Sequence, residues 1–222
     1  MFEKLIKNTA LSTVAHILVQ LKGLLLIPIV IKVAGVSAYG LFTIVTPIVG
    51  IIFGLSSLGV GIKSCRYLPA AKTSDARSNL FFPQLYFQLF VLTIIVAFVL
   101  FFQDQITRSF LEIDRLLIYS ISVYLFFHFA YTQIYKYLRF TSRIMYMSAL
   151  SVLYAYGYIA IVMLYFYFFN AISVEVLFLS QALSALLASL FFIKTVYKDL
   201  IVKFVNFNFI ELKDQIRIGF PI

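Results

Sequence analysis

Long apolar runs alternate along the chain with short polar segments rich in Lys and Arg. A transmembrane helix needs about 20 mostly apolar residues. Six runs meet that need, at residues 11–33, 39–62, 84–103, 116–135, 146–169 and 176–193. The pattern predicts an all-α integral membrane protein whose residues 1–199 form a bundle of six transmembrane helices.

The two ends of the chain give further predictions about the membrane topology. The first run follows two lysines, as in a signal peptide, but it is too long for one, so we expect an uncleaved first span. Residues 200–222 alternate charged and apolar positions, which predicts a cytoplasmic amphipathic linker followed by the start of a seventh span. We therefore expect the architecture to continue past Ile222.

Composition and charge agree with a membrane protein and orient it. Apolar residues make up 63% of the chain and charged residues 12%, against roughly 45–50% and 25% in soluble domains. Most of the 18 Lys and Arg lie at the N-terminus, in residues 63–82 and 136–145, and after the sixth span, whereas the opposite side has Arg108 and Arg115. The positive-inside rule places the N-terminus in the cytoplasm. The net charge of +9 is thus a topology signal, and no nucleic-acid partner is expected.

Small residues recur every three or four positions along one face of the second span. They include Gly50, Gly54, Ser57 and Gly61. Because such faces let helix backbones approach closely in lipid, we predict that this face packs against another helix. The alternative is that it lines a substrate path.

The first span carries a polar stripe, which cannot face lipid cheaply. Its members are Thr9, Ser12, Thr13, His16, Gln20 and Gly23. Lys22 lies in mid-span and, at 100° per residue, away from that stripe. A lysine there costs about 2.5–3.5 kcal/mol by insertion scales, so we predict a water-filled cavity in which Lys22 and His16 meet an anionic substrate. The alternatives are that Lys22 snorkels to the interface or pairs with a region outside this chain.

The fourth and fifth spans are rich in tyrosine, and the fourth also holds His128. Ser120, Tyr124 and His128 follow one another at four-residue steps, so they share a helical face. Tyrosines in such spans serve as interfacial belt or packing residues, or form a wall that stacks on a sugar. In the sixth span, a small and mildly polar face predicts helix packing through Ser180, Gln181, Ser184, Ala188 and Ser189.

Several kinds of chemistry lack support in the sequence. The chain has 2 His and 1 Cys with no acidic residue near either histidine, so no metal site is expected. No Walker loop, HExxH, GxSxG or GxGxxG motif is present. We therefore expect no catalytic residues, no cofactor and no enzymatic activity. None of the six spans holds a carboxylate, which disfavours a proton- or sodium-coupled cation exporter.

The run from Pro28 to Ala70 carries a family resemblance. Its features are the proline in the first span, the turn ending Tyr39-Gly40-Leu41-Phe42, and Gly59-x-Gly61 before a basic loop. This run resembles the N-terminal region of the polysaccharide biosynthesis exporters. These are the lipid-linked O-antigen repeat-unit flippases of the multidrug/oligosaccharidyl-lipid/polysaccharide exporter superfamily.

The resemblance implies an N-terminal lobe of a two-lobe exporter in a bacterial inner membrane, working by alternating access. The implied substrate is an undecaprenyl-diphosphate-linked oligosaccharide for O-antigen or capsule assembly. Lys22 would offset the phosphate charge, and polar contacts would come from His16, Gln20, Tyr124 and His128. Implied partners are the bilayer, a C-terminal lobe, a polysaccharide polymerase and a chain-length regulator.

Other functions stay open at this point. One alternative is a drug or small-cation antiporter of the same superfamily. From a different class, the chain could be a membrane-embedded polymerase or acyltransferase, or a pairing subunit.

Overall fold

A computed structural model describes residues 2–57, 61–109, 113–198 and 200 of the chain. Within them the chain is helical and forms no strand. The α-helices are α1 (Phe2–Ser57), α2 (Gly61–Tyr67), α3 (Ser74–Phe101), α4 (Gln103–Ser109), α5 (Arg115–Phe140), α6 (Ile144–Phe169) and α7 (Val174–Tyr197). The predicted linker and seventh span lie outside the described residues, apart from Leu200.

Five of these helices are long and apolar enough to cross a membrane. They are Asn8–Ser57, Ser74–Phe101, Arg115–Phe140, Ile144–Phe169 and Val174–Tyr197. The predicted all-α fold is confirmed for the described residues, and these five apolar helices agree with a multi-pass membrane protein. Helical structure extends beyond the predicted bounds, because α3 begins at Ser74 rather than at residue 84, and α4 occupies part of the predicted outer loop.

The first two predicted spans correspond to the two helical parts of α1, which meet at a non-helical residue, Gly35. Gly35 has φ 88° and ψ 166°, a conformation that essentially only glycine adopts. The break lies within the connection predicted between residues 33 and 39, and helical structure resumes directly after Gly35.

The part of α1 before Gly35 follows α6. The Tyr156 hydroxyl donates a hydrogen bond to the Leu18 carbonyl oxygen at 3.2 Å. Further along both helices, Val30 belongs to the same buried cluster as Val162. The two segments therefore run side by side in the same direction.

The part of α1 after Gly35 follows α5 instead. Val49 and Leu117 share a buried cluster, and the ring centroids of Phe53 and His128 lie 4.9 Å apart. Because α5 and α6 are antiparallel neighbours joined by residues 141–143, the two parts of α1 run in opposite directions. Gly35 is thus the point at which the chain reverses.

Helices α5 and α7 are the most buried of the spanning helices and pack on each other. The small polar face predicted for packing is buried, which confirms that prediction for Ser180, Gln181, Ser184, Ala188 and Ser189. Ser184 donates its hydroxyl to the Tyr154 carbonyl oxygen at 2.7 Å. A Cβ placed on Gly157 would lie 2.9 Å from the Ser184 Oγ, so α6 and α7 approach closely here.

The small-residue face predicted to pack in the second span is not covered by a neighbouring described helix, in contrast to the face of α7. Gly50 and Gly54 are exposed, and no atom lies within 4 Å of a Cβ placed on either. The Ser57 hydroxyl bonds within its own helix, to the Gly54 carbonyl oxygen at 2.8 Å. Gly61 has one neighbour, the Gln84 Oε1, at 3.9 Å. No described helix therefore packs closely on Gly50 and Gly54, and packing of this face on another partner stays a prediction.

A buried amide pair joins α3 to α5. The Gln133 Nε2 donates to the Gln88 Oε1 at 2.7 Å, and both side chains are buried. Gln84, one turn before Gln88, is also buried. These glutamines form a buried polar layer between α3 and α5 that a hydropathy profile does not identify.

Candidate functional site

A polar pocket of about 320 Å³ lies between α1, α5 and α6. It is near the end of the bundle where α5 ends and α6 begins, because Tyr135 and Met147 both line it. Its walls carry side chains of chemically different kinds: an ammonium group, two imidazoles, and the hydroxyls of serines and tyrosines. All of them come from helices apolar enough to cross a membrane.

The first part of α1 supplies one wall, through Ser12, Ala15, His16, Val19 and Lys22. These positions are three or four apart, so they lie along one side of the helix. The prediction had placed Lys22 away from the polar stripe. In the structure its long side chain reaches the same pocket as Ser12 and His16, because the pocket faces the helix surface between them.

The rest of the stripe does not line this pocket. Thr9, Thr13 and Gln20 are exposed on α1. Gln20 Nε2 lies 3.4 Å from His16 Nε2, so its polar contact is with the histidine. Gln20 is therefore a neighbour of the site rather than part of its wall.

Lys22 is half-buried and lies against two aromatic rings. Its Nζ is 5.4 Å from the Tyr158 ring centroid and 5.8 Å from that of Tyr154. Such cation–π contacts partly offset the cost of a buried ammonium group. No described carboxylate forms an ion pair with Lys22, so its charge is available to an anion entering the pocket.

His128 sits among aromatic rings on the α5 side of the pocket. Its ring centroid lies 5.0 Å from that of Tyr124, 5.4 Å from Tyr131 and 5.7 Å from Tyr154. Its Nδ1 is buried and has no hydrogen-bond partner among the described residues. Such an atom normally forms a hydrogen bond with water or with a ligand. His128 is therefore suited to contact a polar ligand.

Some tyrosines of α5 and α6 line the pocket, whereas others are packing residues. Tyr131, Tyr135 and Tyr154 line the pocket, and the rings of Tyr131 and Tyr154 are 4.4 Å apart. Tyr124 is buried behind His128 and does not line the wall. Tyr158 is buried under Lys22.

Of the five residues predicted to bind substrate, the structure thus brings three to one pocket: His16, Lys22 and His128. It also adds Ser148 and Ser151, which the sequence interpretation missed. The spacing Ser148, Ser151, Tyr154 places three polar side chains on one face of α6 and could have identified them. The Ser148 hydroxyl is buried without a partner in the described part of the chain.

This arrangement can bind an anionic group that carries hydroxyls. Lys22 supplies positive charge, the serine and tyrosine hydroxyls donate and accept hydrogen bonds, and the ring faces offer stacking surface. Among the described residues, no group of three or more His, Cys, Asp or Glu could hold a metal ion.

Comparison with known proteins gives one family. The family model described as "Polysaccharide biosynthesis protein" matches residues 5–222. No curated protein and no solved structure matches the chain.

Proposed function

Because the chain belongs to the polysaccharide biosynthesis protein family, we propose that it exports a lipid-linked precursor of a surface polysaccharide. The resemblance drawn from Pro28–Ala70 is confirmed at the level of the family. The proposed substrate is an undecaprenyl-diphosphate-linked oligosaccharide repeat unit, and the proposed membrane is a bacterial inner membrane. In this proposal the chain is a flippase and not an enzyme.

The observation that carries the proposal is the pocket inside apolar helices. A cation with no described carboxylate partner is costly in a membrane, and it is retained here beside hydroxyls and aromatic rings. A sugar diphosphate matches that lining, since its phosphates are anionic and its sugar carries hydroxyl groups and an apolar ring face.

The proposed topology has six crossings with a cytoplasmic N-terminus. The 50 residues of Asn8–Ser57 would span about 75 Å as one straight helix, more than twice the roughly 30 Å hydrocarbon core. The reversal at Gly35 supports two crossings by this element. With four further spanning helices, the total becomes six, as in the N-terminal lobe of a two-lobe exporter.

In the proposed mechanism, the polar head of the substrate enters the pocket from the cytoplasmic side while its lipid tail stays in the bilayer. Lys22 offsets the phosphate charge, and His16, His128 and the hydroxyls hold the head. A second lobe would close the other side, and rocking of the two lobes would expose the head to the outside. Polysaccharide polymerase and chain-length regulator would act on the product.

The test is a charge series at Lys22 in cells that depend on this chain for surface polysaccharide. Lys22→Glu should lower surface polysaccharide by about tenfold or more, since a 1.4 kcal/mol loss of affinity already corresponds to tenfold. Lys22→Ala should give a smaller loss, and Lys22→Arg should keep most of the activity. Polysaccharide is measured per amount of protein in the membrane.

Lys32→Ala is the matched control, because Lys32 lies on the same helix, is exposed and does not line the pocket. It should leave polysaccharide unchanged. If Lys22→Ala and Lys22→Glu both behave like Lys32→Ala at equal protein levels, the proposed role of the pocket is wrong. Drug efflux that depends on an ion gradient, with normal polysaccharide, would indicate an antiporter instead.

A further inference from the structure

A second cavity, separate from the polar pocket, opens on the lobe. It is an apolar groove of about 590 Å³ between the second part of α1, the C-terminal end of α3, α4 and the start of α5. One wall includes Ile44, Ile48 and Ile52, at four-residue steps on α1. The opposite wall includes Ile106, Ile118 and Ile121. The volume lies within the roughly 300–1,000 Å³ of typical ligand sites.

The composition of the groove differs from that of the chain. The protein has 25 Phe and 15 Tyr, yet none of those in the described part of the chain lines the groove. Apart from Ser109, every lining side chain is a branched aliphatic one. Isoleucine and valine side chains are stiff at χ1, and an aliphatic lining of this kind suits a hydrocarbon chain that is held by van der Waals contact.

A cationic residue, Arg108, is adjacent in sequence to Ser109, which lines the groove. Helix α4 ends with these two residues. Arg115 is engaged with Asp104 at 2.9 Å, whereas Arg108 is exposed and has no carboxylate partner among the described residues. A lipid with an anionic phosphate head and its chain in the groove would therefore have a charge partner one residue from the groove lining.

The groove and the polar pocket lie on the same pair of helices. Along α5, Ile121 lines the groove, Tyr124 is buried, and His128 lines the pocket. On α1, Ile52 lines the groove and the neighbouring Phe53 packs on His128. A packed layer about two helical turns long thus separates a site for a polar head from a site for a hydrocarbon chain.

From these observations we infer that the groove binds the polyprenyl chain of the lipid-linked substrate, with its phosphate at Arg108. This rests on the proposed function, and it assigns the groove to the substrate after translocation, since Arg108 lies on the proposed outer side. Apolar contact alone gives little selectivity in lipid. The Ile and Val walls and the Arg108 charge together select a methyl-branched chain with an anionic head.

The experiment uses photo-crosslinking by a polyprenyl phosphate that carries a diazirine in its chain, in membranes of cells that produce this chain. Ile48→Trp fills the groove and should lower labelling about fivefold or more. Arg108→Glu, a surface change that leaves the core intact, should lower it similarly. Unlabelled polyprenyl phosphate should compete, and excess phosphatidylglycerol should not.

The matched control is Ile51→Trp, because Ile51 lies on the same helix, is 62% exposed and does not line the groove. It should label like the unmodified chain at equal protein levels. If both tryptophan variants label equally, or if phosphatidylglycerol competes as well as polyprenyl phosphate, the groove holds only bulk lipid and the inference is wrong.

Polysaccharide export measured on the same cells separates this inference from the proposed function. If Ile48→Trp and Arg108→Glu lose labelling while export is insensitive to every Lys22 variant, the assignment of the groove to the polyprenyl chain is supported. The proposed role of the pocket is then contradicted. Export that depends on Lys22, with labelling insensitive to groove variants, overturns the groove assignment alone.

Discussion

Gly157 packs against Ser184 of the next helix, whose hydroxyl bonds to the Tyr154 carbonyl oxygen. A methyl group at position 157 would lie 2.9 Å from that hydroxyl oxygen and 3.9 Å from the Ser184 Cβ. The first distance requires the hydroxyl to move, whereas the second is an ordinary contact. The absence of a side chain at 157 thus preserves an interhelical hydrogen bond.

We predict that Gly157→Ala destabilises the lobe by about 1 kcal/mol, because the displaced hydroxyl loses a hydrogen bond worth roughly that amount. For a chain of this size, the melting temperature in detergent should fall by about 2–4 °C. In a Ser184→Ala background, the same substitution should have little further effect.

The control is Gly50→Ala, also in a helix interior but with nothing within 4 Å of the added methyl. It should be neutral or slightly stabilising, since alanine is favoured over glycine in helices by about 0.5–1 kcal/mol. Equal destabilisation by the two substitutions would mean that the Ser184 contact is not the cause.

At the scale of one element, α1 depends on a single backbone conformation. The two parts of the helix follow different neighbours, α6 and then α5, and Gly35 is the residue between them that leaves helical φ and ψ. A residue with a Cβ at φ 88° and ψ 166° is strained by about 1–3 kcal/mol. The reversal therefore depends on glycine at this position.

We predict that Gly35→Ala lowers the amount of folded protein in the membrane and its melting temperature in detergent, by about 3 °C or more. Gly40→Ala is the control, because Gly40 is helical and a Cβ there meets nothing within 4 Å. If Gly35→Ala is as well tolerated as Gly40→Ala, the chain does not need the backbone conformation seen at Gly35.

At the scale of the whole molecule, basic residues set the orientation. Residues 63–82 and 136–145 are basic, and both lie where α1 and α5 end. Gly35 lies at the opposite end of the bundle, since α1 reverses there. The proposed topology therefore places the segment around Gly35 on the side of the membrane opposite the cytoplasm, and α2 on the cytoplasmic side.

This orientation predicts the labelling of two cysteines by a membrane-impermeant maleimide. The chain has one cysteine, Cys65, which is exposed in α2, and it should react in inside-out vesicles but not in intact cells. A cysteine introduced by Ser37→Cys in a Cys65→Ser background should react in intact cells, because Ser37 is exposed and close to Gly35. Labelling of both from one side would contradict two separate crossings by α1.

Some features follow from local sequence alone. Hydropathy sums over about 20 residues, so the all-α membrane fold and the approximate places of the spans could be predicted without knowing any contact. The small face of α7 was also correctly predicted to pack. The run Pro28–Ala70 was sufficient to indicate the family.

The site was only partly predictable from the sequence. A helical wheel gives the angular position of each residue around the helix axis, but it does not take the length of the side chain into account. His16 and Lys22 flank the side of α1 that faces the pocket, and the length of the lysine side chain brings its ammonium group to the same pocket as the histidine. Ser148 and Ser151 line the same pocket from α6. Gln20 and Tyr124 had similar polar periodicity, but their places relative to the neighbouring helices exclude them from the wall.

The sequence by itself therefore determined that the chain is a bundle of apolar helices with rare polar groups inside, since the cost of polar groups in lipid acts residue by residue. The tertiary structure decided which of these groups meet. It also decided that α6 and α7 approach closely at Gly157, while Gly50 and Gly54 face away from the described helices. These outcomes depend on which helices become neighbours, and that is a property of the whole packing rather than of any one segment.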